Sequence, residues 1–385
     1  MSSFKAQTHI AIDGDKFSVN GDPMQRGVQF QGVSIEGLLL NSRMANAIFD
    51  DENPFTRHLW AYPDTGHWDA NRNTDELIAM LPTYKARGLG AIDINLQGAA
   101  PLGYYRSDDD ALAPLIERIH QVHPDAGIDE IWAGVPTTWS QPWITGAFTP
   151  EGALKPDHLE RAARIIEAAD DVGLAVCVGL FYFGQDERLQ NEDAVIRALD
   201  EAVHWILERG YSNVLLEINN ECDIPRYEHD ILCPPRVHEL IERAQATVID
   251  GRRLLVGTSF TRRMLPTAEV VAISDYILLH GNGMDDPNEV TQSIRAVRSL
   301  PTYRGQPIAF NEDDHFDFDQ PTNNFAAALI ERAGWGFFDP GSGAGGSHAY
   351  GDYAEGFQNP PINWSINTPR KQAFFAFLSA LTASR

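Results

Sequence analysis

Eight short apolar runs, each followed by a segment with helical periodicity, recur along this 385-residue chain, and that alternation leaves few folds open. The runs cover residues 28–33, 91–96, 175–181, 214–218, 254–258, 276–279, 308–310 and 334–338. Between them, Leu77, Met80, Leu81 and Tyr84 share one helical face. Leu159, Ala163 and Ile166 share a second that Gly173 stops, and Val195, Leu199, Val203 and Ile206 a third ended by Gly210. Pro235 and Pro287 can each open a helix at its first turn, and Thr368-Pro369 starts the last. Eight strand-like runs alternating with helices favour an α/β architecture closed into a (β/α)8 TIM barrel over an open doubly wound sheet. No glycine-rich phosphate fingerprint follows the first run, which weakens a dinucleotide-binding reading.

The chain before the first run predicts a β-hairpin over residues 1–26 that caps the barrel. His9-Ile-Ala-Ile12 and Lys16-Phe-Ser-Val19 flank Asp13-Gly14, and Asn20-Gly21 follows, both of them strong two-residue turn sequences. With 43% hydrophobic content, one barrel domain over 1–385 accounts for the whole length. Two connections, 35–73 and 98–157, are long βα loops that leave the C-terminal ends of strands. They bring Trp60, Trp68, Trp132, Trp139 and Trp143 toward the face where barrel enzymes bind substrate, and aromatic faces suit the C–H surfaces of sugars. A third loop, 339–367, follows the last run and holds His348, Tyr350, Tyr353, Phe357 and Trp364.

Charge and cysteine usage narrow the partners. Against 54 acidic residues stand 30 basic ones, a formal net charge of −24 that repels phosphate backbones and anionic membranes, so neither nucleic acid nor a membrane is an expected partner. A neutral or cationic small molecule fits better. The 3 cysteines, Cys177, Cys222 and Cys233, form no CxxC pair and leave an odd thiol, which implies a reducing compartment. With no apolar targeting run at 1–7 and no stretch of 18 apolar residues, a cytoplasmic location is the expectation. Oligomeric state is not legible from pattern alone.

Two glutamates stand where apolar strands run out. Val214-Leu-Leu-Glu-Ile-Asn219-Asn220 leads into Glu221, and Ile308-Ala-Phe-Asn311 leads into Glu312. Two carboxyl groups brought together at strand ends can divide acid and nucleophile work. On the second run, Asp93, Asn95 and Gln97 alternate onto one face and make a polar lumen. Asn220-Glu221 on the fourth run, His280 on the sixth, Glu312 on the seventh and Trp335 on the eighth resemble the clan A glycoside hydrolases. That superfamily includes the family 5 cellulases and mannanases, and the opening Gly27-Val-Gln-Phe-Gln-Gly-Val33 is similar to the start of those barrels.

The resemblance implies a retaining mechanism. Glu221 would be the general acid/base and Glu312 the nucleophile of a glycosyl-enzyme intermediate. Asn220 would bond the sugar 2-hydroxyl, His280 would orient nucleophile or sugar, and Trp335 would floor the subsite. Gln31, Asp93, Asn95, Gln97, Trp139 and Trp364 complete the candidate substrate contacts. Family 5 enzymes usually carry a second-strand arginine behind the nucleophile. Here that strand reads Ala91-Ile-Asp93-Ile-Asn95, and Arg26, Arg262 or Arg263 are the candidates to replace it. The expectation is an exo-acting retaining glycosidase for small glycosides or oligosaccharides, needing no cofactor and no metal. Its rivals are a metal-dependent sugar isomerase or lyase drawing on Glu221, Asp275, His280 and the run Glu312-Asp-Asp-His315, and a non-catalytic carbohydrate-binding barrel.

Overall fold

The computed structural model describes residues 4–99, 101–102, 112–135, 141–341 and 355–383. Eight strands line a central barrel. They are β1 (Leu40–Arg43), β2 (Ala91–Asn95), β3 (Ala175–Phe181), β4 (Val214–Asn219), β5 (Leu255–Gly257, resuming as Ser259–Phe260), β6 (Ile277–His280), β7 (Ile308–Glu312) and β8 (Trp335–Phe337). The first half of β5 continues through β4, β3, β2 and β1 to β8 as one hydrogen-bonded sheet, and its second half joins β6 and β7. Parallel bridges from Ala309 to Gly334 and from Asp313 to Phe337 join β7 to β8 and close the cylinder.

The first barrel strand is not where the apolar pattern puts it. Residues 28–33 fold instead as a tight antiparallel pair, Gln29–Phe30 against Val33–Ser34, because Gln31 and Gly32 both take positive φ and turn the chain. β1 begins at Leu40, seven residues after that run ends, inside the stretch expected to be loop. Its inward side chains, Asn41 and Arg43, are polar, so the apolar run Leu38-Leu39-Leu40 stops at the first residue of the strand.

Helices follow the strands in order: α1 (Ala70–Ala86), α2 (Pro156–Val172), α3 (Glu192–Glu208), α4 (Val237–Ala246), α5 (Ala268–Ile273), α6 (Pro287–Ser299), α7 (Asn324–Ile330) and α8 (Pro369–Thr382). Side-chain caps from Asp69, Asn191, Thr267, Asp286, Asn323 and Thr368 satisfy their first free N–H groups. Gly173, at φ +76°, ends α2 as expected. Among the described residues no helix is long and apolar enough to cross a membrane.

The barrel interior changes character along its axis. At the strand N-termini Leu39, Ala91, Ala175, Leu215, Leu278 and Ala309 form an apolar plug with Phe17 and Met24 of the N-terminal hairpin. Phe17 stands edge-on to Tyr276, ring centroids 5.7 Å apart, so the hairpin closes the bottom of the barrel. Two residues further along each strand the same faces carry Asn41, Asp93, Cys177, Glu217, His280 and Asn311. Glycines make room there: a Cβ on Gly179 would collide with the Asn95 amide, and one on Gly336 with that of Asn41. The loops after β1 and β2 build a separate apolar core above the barrel from Phe49, Trp60, Trp68, Leu115, Trp132 and Trp143.

Candidate active site

Glu221 and Glu312 meet at the open end of the barrel. One carboxylate oxygen from each and a ring nitrogen of His280 all lie within 4.8 Å of one another. Glu221 follows β4 in a left-handed conformation, φ +48°, which a non-glycine residue holds at a cost of about 1–3 kcal/mol. Its N–H donates to Ser259 Oγ (2.9 Å), which fixes that turn. His280 ends β6 at a β-bulge that brings it level with Glu312. Its Nδ1 lies 3.0 Å from Glu221 Oε1 and 3.6 Å from Glu312 Oε2, between the two carboxylates. Burial disfavours charge on the imidazole, but the negative charge of Glu312 and the hydrogen bond to Glu221 outweigh it and raise its pKa.

The support behind Glu312 comes from a residue outside every expectation. Arg43, the last residue of β1 and only 1% exposed, places Nε 2.6 Å from Glu312 Oε2. Its Nη2 donates to Asn220 Oδ1 at 2.5 Å, and its Nη1 stands 3.9 Å from Glu217 Oε2. One guanidinium therefore orients both the nucleophile candidate and its neighbouring amide, and Arg26, Arg262 and Arg263 are not needed for it. Arg263 is tied to Glu289 and Arg262 to the Asn282 carbonyl, while Arg26 pairs with Asp22 in the N-terminal hairpin. On the other side Asn282 Nδ2 donates to Glu312 Oε1. The sequence signal for Asn282 was available, two residues beyond His280 at a strand end; Arg43 was hidden with its strand.

The remaining candidates divide. Asn220 Nδ2 and Asn282 Oδ1 are buried without a hydrogen-bond partner. Asp93 and Asn95 lie in the polar lumen with their side-chain oxygens unpartnered. Gln97 does not face the site. It accepts from Tyr182 N–H (2.9 Å) and donates to Gln185 O (3.2 Å), tying the β2 and β3 loops together. Gln31 sits exposed at its hairpin turn, beside Asp286, Asn288 and Asn323 on the outside of the barrel.

Trp335 is fully buried, stacked on Phe325 at 4.7 Å and hydrogen-bonded to Asp313 through Nε1, so it has no face to offer a sugar. Trp364 likewise stacks on Phe357 at 5.7 Å and donates to Asn73 O. Both correct the expectation, and for the same reason: a large ring on a short barrel strand or an inner loop is worth more as packing. Trp139 lies outside the described residues, as do His348, Tyr350 and Tyr353.

Below the site the lumen holds more acid than base. Burial pushes the Asp93 carboxyl up to about 8, an effect Arg43 only partly offsets and Glu217 reinforces. Glu217 is raised for the same first reason, with Arg43 and His280 opposing. The Glu221, His280 and Glu312 cluster is compact enough to take a divalent cation, as is Asp313, Asp314 and His315 beside it. In the first, however, the Arg43 guanidinium already faces Glu312; in the second, Asp313 is engaged by His315 Nδ1 (2.7 Å), Trp335 Nε1 and Asn324 Nδ2.

Solved structures share this architecture across most of the chain. A broad-specificity endoglucanase of subfamily GH5-4 from Bacteroides salanitronis matches with TM-score 0.50 and 10% identity, over 94% of this chain and 99% of that one. A family 5 glycoside hydrolase from Bacteroides vulgatus matches at TM-score 0.51 and 11% identity, over 91% and 67%. A family 5 mannosidase from Rhizomucor miehei matches at 0.50 and 12%, over 100% of each chain. At such identities the likeness establishes the fold alone, a (β/α)8 barrel shared over most of the chain. No family model and no curated protein matches the sequence.

Proposed function

From the (β/α)8 barrel and its two facing glutamates, we propose that the protein is a retaining glycoside hydrolase of the clan A type, with Glu312 as nucleophile and Glu221 as general acid/base. The observation that carries this reading is the approach of the two carboxylates to within 4.8 Å. Inverting enzymes separate theirs by about 6.5–9.5 Å to admit a water, whereas retaining enzymes bring them to about 5–5.5 Å. The roles follow from the surroundings. Glu312 is gripped by Arg43 and Asn282, as a nucleophile held in one orientation should be, while Glu221 is the more exposed carboxylate and can exchange its proton with water. Glu312 attacks the anomeric carbon as the glycosidic C–O bond breaks, and the leaving oxygen takes its proton from Glu221. Water then gives a proton to Glu221, attacks the same carbon and displaces Glu312. Asn220 Nδ2 is placed to bond the adjacent hydroxyl.

The substrate is a small glycoside or oligosaccharide cleaved from its end. The apolar core built on the β1 and β2 loops supports this, since it raises a packed wall over one side of the barrel mouth. Hydrolysis of a panel of aryl glycosides by wild type, Glu221→Ala and Glu312→Ala, with azide added, tests the assignment. Glycosyl azide of inverted configuration from Glu312→Ala and of retained configuration from Glu221→Ala is the expected result; activity in Glu312→Ala without azide would overturn it. The metal-dependent reading gives the opposite chelator response: EDTA abolishes activity and Mn²⁺ restores it, whereas the glycosidase is indifferent to both.

A further inference from the structure

Beneath the two glutamates, Arg43 serves more carboxyl groups than it can neutralise. Its Nη1 is buried without a hydrogen-bond partner, 3.9 Å from Glu217. Asp93 is paired with Arg43 across the β1–β2 register, is 1% exposed, and has no nitrogen or oxygen donor to either carboxyl oxygen. Every other carboxyl in the barrel mouth has a donor: Glu312 has Asn282, Glu221 has His280 and Glu217 has Asn311. With one guanidinium and one imidazole facing four carboxyls in a dry interior, full ionisation would leave net negative charge buried, which a protein avoids by retaining protons. Asp93, with only the weak Cys177 thiol as a donor, is where a proton costs least to keep.

We propose that Asp93 is a positioning residue for the nucleophile: its neutral carboxylic acid leaves the Arg43 guanidinium to Glu312 and Asn220, and loss of its proton draws the unpartnered arm of Arg43 toward Asp93 and away from them. The groups that face Asp93 are Arg43 from β1, Cys177 from β3, Glu217 from β4 and His280 from β6, with Glu312 of β7 beyond Arg43. β5 and β8 contribute no titratable side chain. Cys177 is a weak donor whose own ionisation burial suppresses, so it cannot hold the Asp93 charge. Deprotonation of Asp93 is therefore felt chiefly by Arg43. The site then loses its alignment on the alkaline side for a reason separate from the general acid.

The role is separable by substrate and by spectroscopy. A dinitrophenyl glycoside leaves without a proton, so the general acid drops out of its kcat/KM and any remaining alkaline limb belongs to another group. With that substrate, wild-type kcat/KM, normalised to its own value at pH 7, is expected to fall about tenfold per pH unit above about pH 8. The normalised profile of Asp93→Asn should stay flat to about one pH unit higher. The kinetic arm rests on the glycosidase reading; the second arm does not. In ¹³C-carboxyl-aspartate NMR one resonance, absent from Asp93→Asn, should titrate near pH 8, and the Arg43 Nε–H signal should shift through the same midpoint in wild type only. An Asp93 midpoint below 6, or an Arg43 signal that ignores it, overturns the proposal whether or not the protein turns over a glycoside. An alkaline limb unchanged in Asp93→Asn overturns it as well. Absence of turnover on every glycoside, with both NMR shifts present, would reject the glycosidase reading and leave the Asp93–Arg43 coupling standing.

Discussion

A single arginine, Arg43, ties Glu312 to Asn220 in the barrel mouth, and its chemistry explains why lysine could not. The planar guanidinium sets Nε in an ion pair with Glu312 and donates from Nη2 to Asn220 at once, which needs two nitrogens at a fixed angle. A lysine would keep the charge and lose one of the two contacts. Arg43→Lys is therefore expected to fold but to lose about 10²–10³-fold in kcat, the loss typical when one preorganised electrostatic contact is removed. A kcat within threefold of wild type, with Tm unchanged, would show that Glu312 needs no such support. Asn282 offers the complementary case. Replacing it with alanine removes a donor to Glu312, whereas Asn282→Asp sets a carboxylate against a carboxylate. Aspartate should thus be worse than alanine by about tenfold in kcat, and the reverse order would deny the contact. Both glutamates were legible in the sequence because each ends an apolar strand. Arg43 was not, because the leucines that lead into its strand, Leu38 to Leu40, give way to Asn41-Ser42-Arg43 within it.

At the scale of elements, the same physics separates what the sequence disclosed from what it concealed. Strands β2 to β8 fall on the apolar runs, and α2, α6 and α8 begin or end at the glycine, proline and threonine that mark them. β1 escaped because its apolar lead, Leu38 to Leu40, is short and its inward face is Asn41 and Arg43, while the stretch before it, 28–33, turns on Gln31-Gly32. Tryptophans misled for the opposite reason. Trp335 and Trp364 sit in loops and strand ends near the mouth, yet their indole N–H groups find partners in Asp313 and Asn73, and their rings find other rings. The N-terminal hairpin forms where its Asp13-Gly14 turn predicts, with Ile10–Asp13 against Lys16–Val19. Phe17, 1% exposed, plugs the barrel floor against Tyr276, at the end remote from Glu221 and Glu312. Phe17→Ala should cost about 3–5 kcal/mol of stability, the usual range for emptying a buried phenylalanine site, and leave kcat untouched. Equilibrium denaturation and aryl glycoside kinetics on the same sample check both halves; a stable variant would mean that the hairpin merely lies against the floor.

For the whole molecule, the buried acids set how stability depends on pH, and the direction can be worked out. Burial raises Asp93 to about 8, Glu187 to about 7 and Asp51 to about 6, and it also raises Asp186, Glu217 and Asp313. In the unfolded chain each of these groups gives up its proton near pH 4, while in the folded chain it keeps it to a higher pH. Between those limits the native state binds more protons, so raising the pH favours unfolding. His315, raised to about 9 by its bond to Asp313, acts in the same sense: what it contributes is complete below about 6.5 and gone once pH passes 9. Two groups oppose. Burial lowers Lys371 to about 7, so the unfolded chain binds the extra proton above that pH, and buried His158 is lowered, so acid favours unfolding below about 6.5. The acids outnumber them. The formal charge of −24 adds self-repulsion that grows as carboxyls ionise. Thermal unfolding from pH 4.5 to 9 should therefore show its highest Tm on the acid side of neutrality, about pH 5–6.5, and a steady decline to pH 8.5 that Asp93→Asn makes shallower. A Tm that climbed from pH 5.5 to 8 would mean that these carboxyls are ionised in the folded protein. The barrel mouth would then have to accommodate their charge by water or a bound cation, and the division of labour around Arg43 would need to be redrawn.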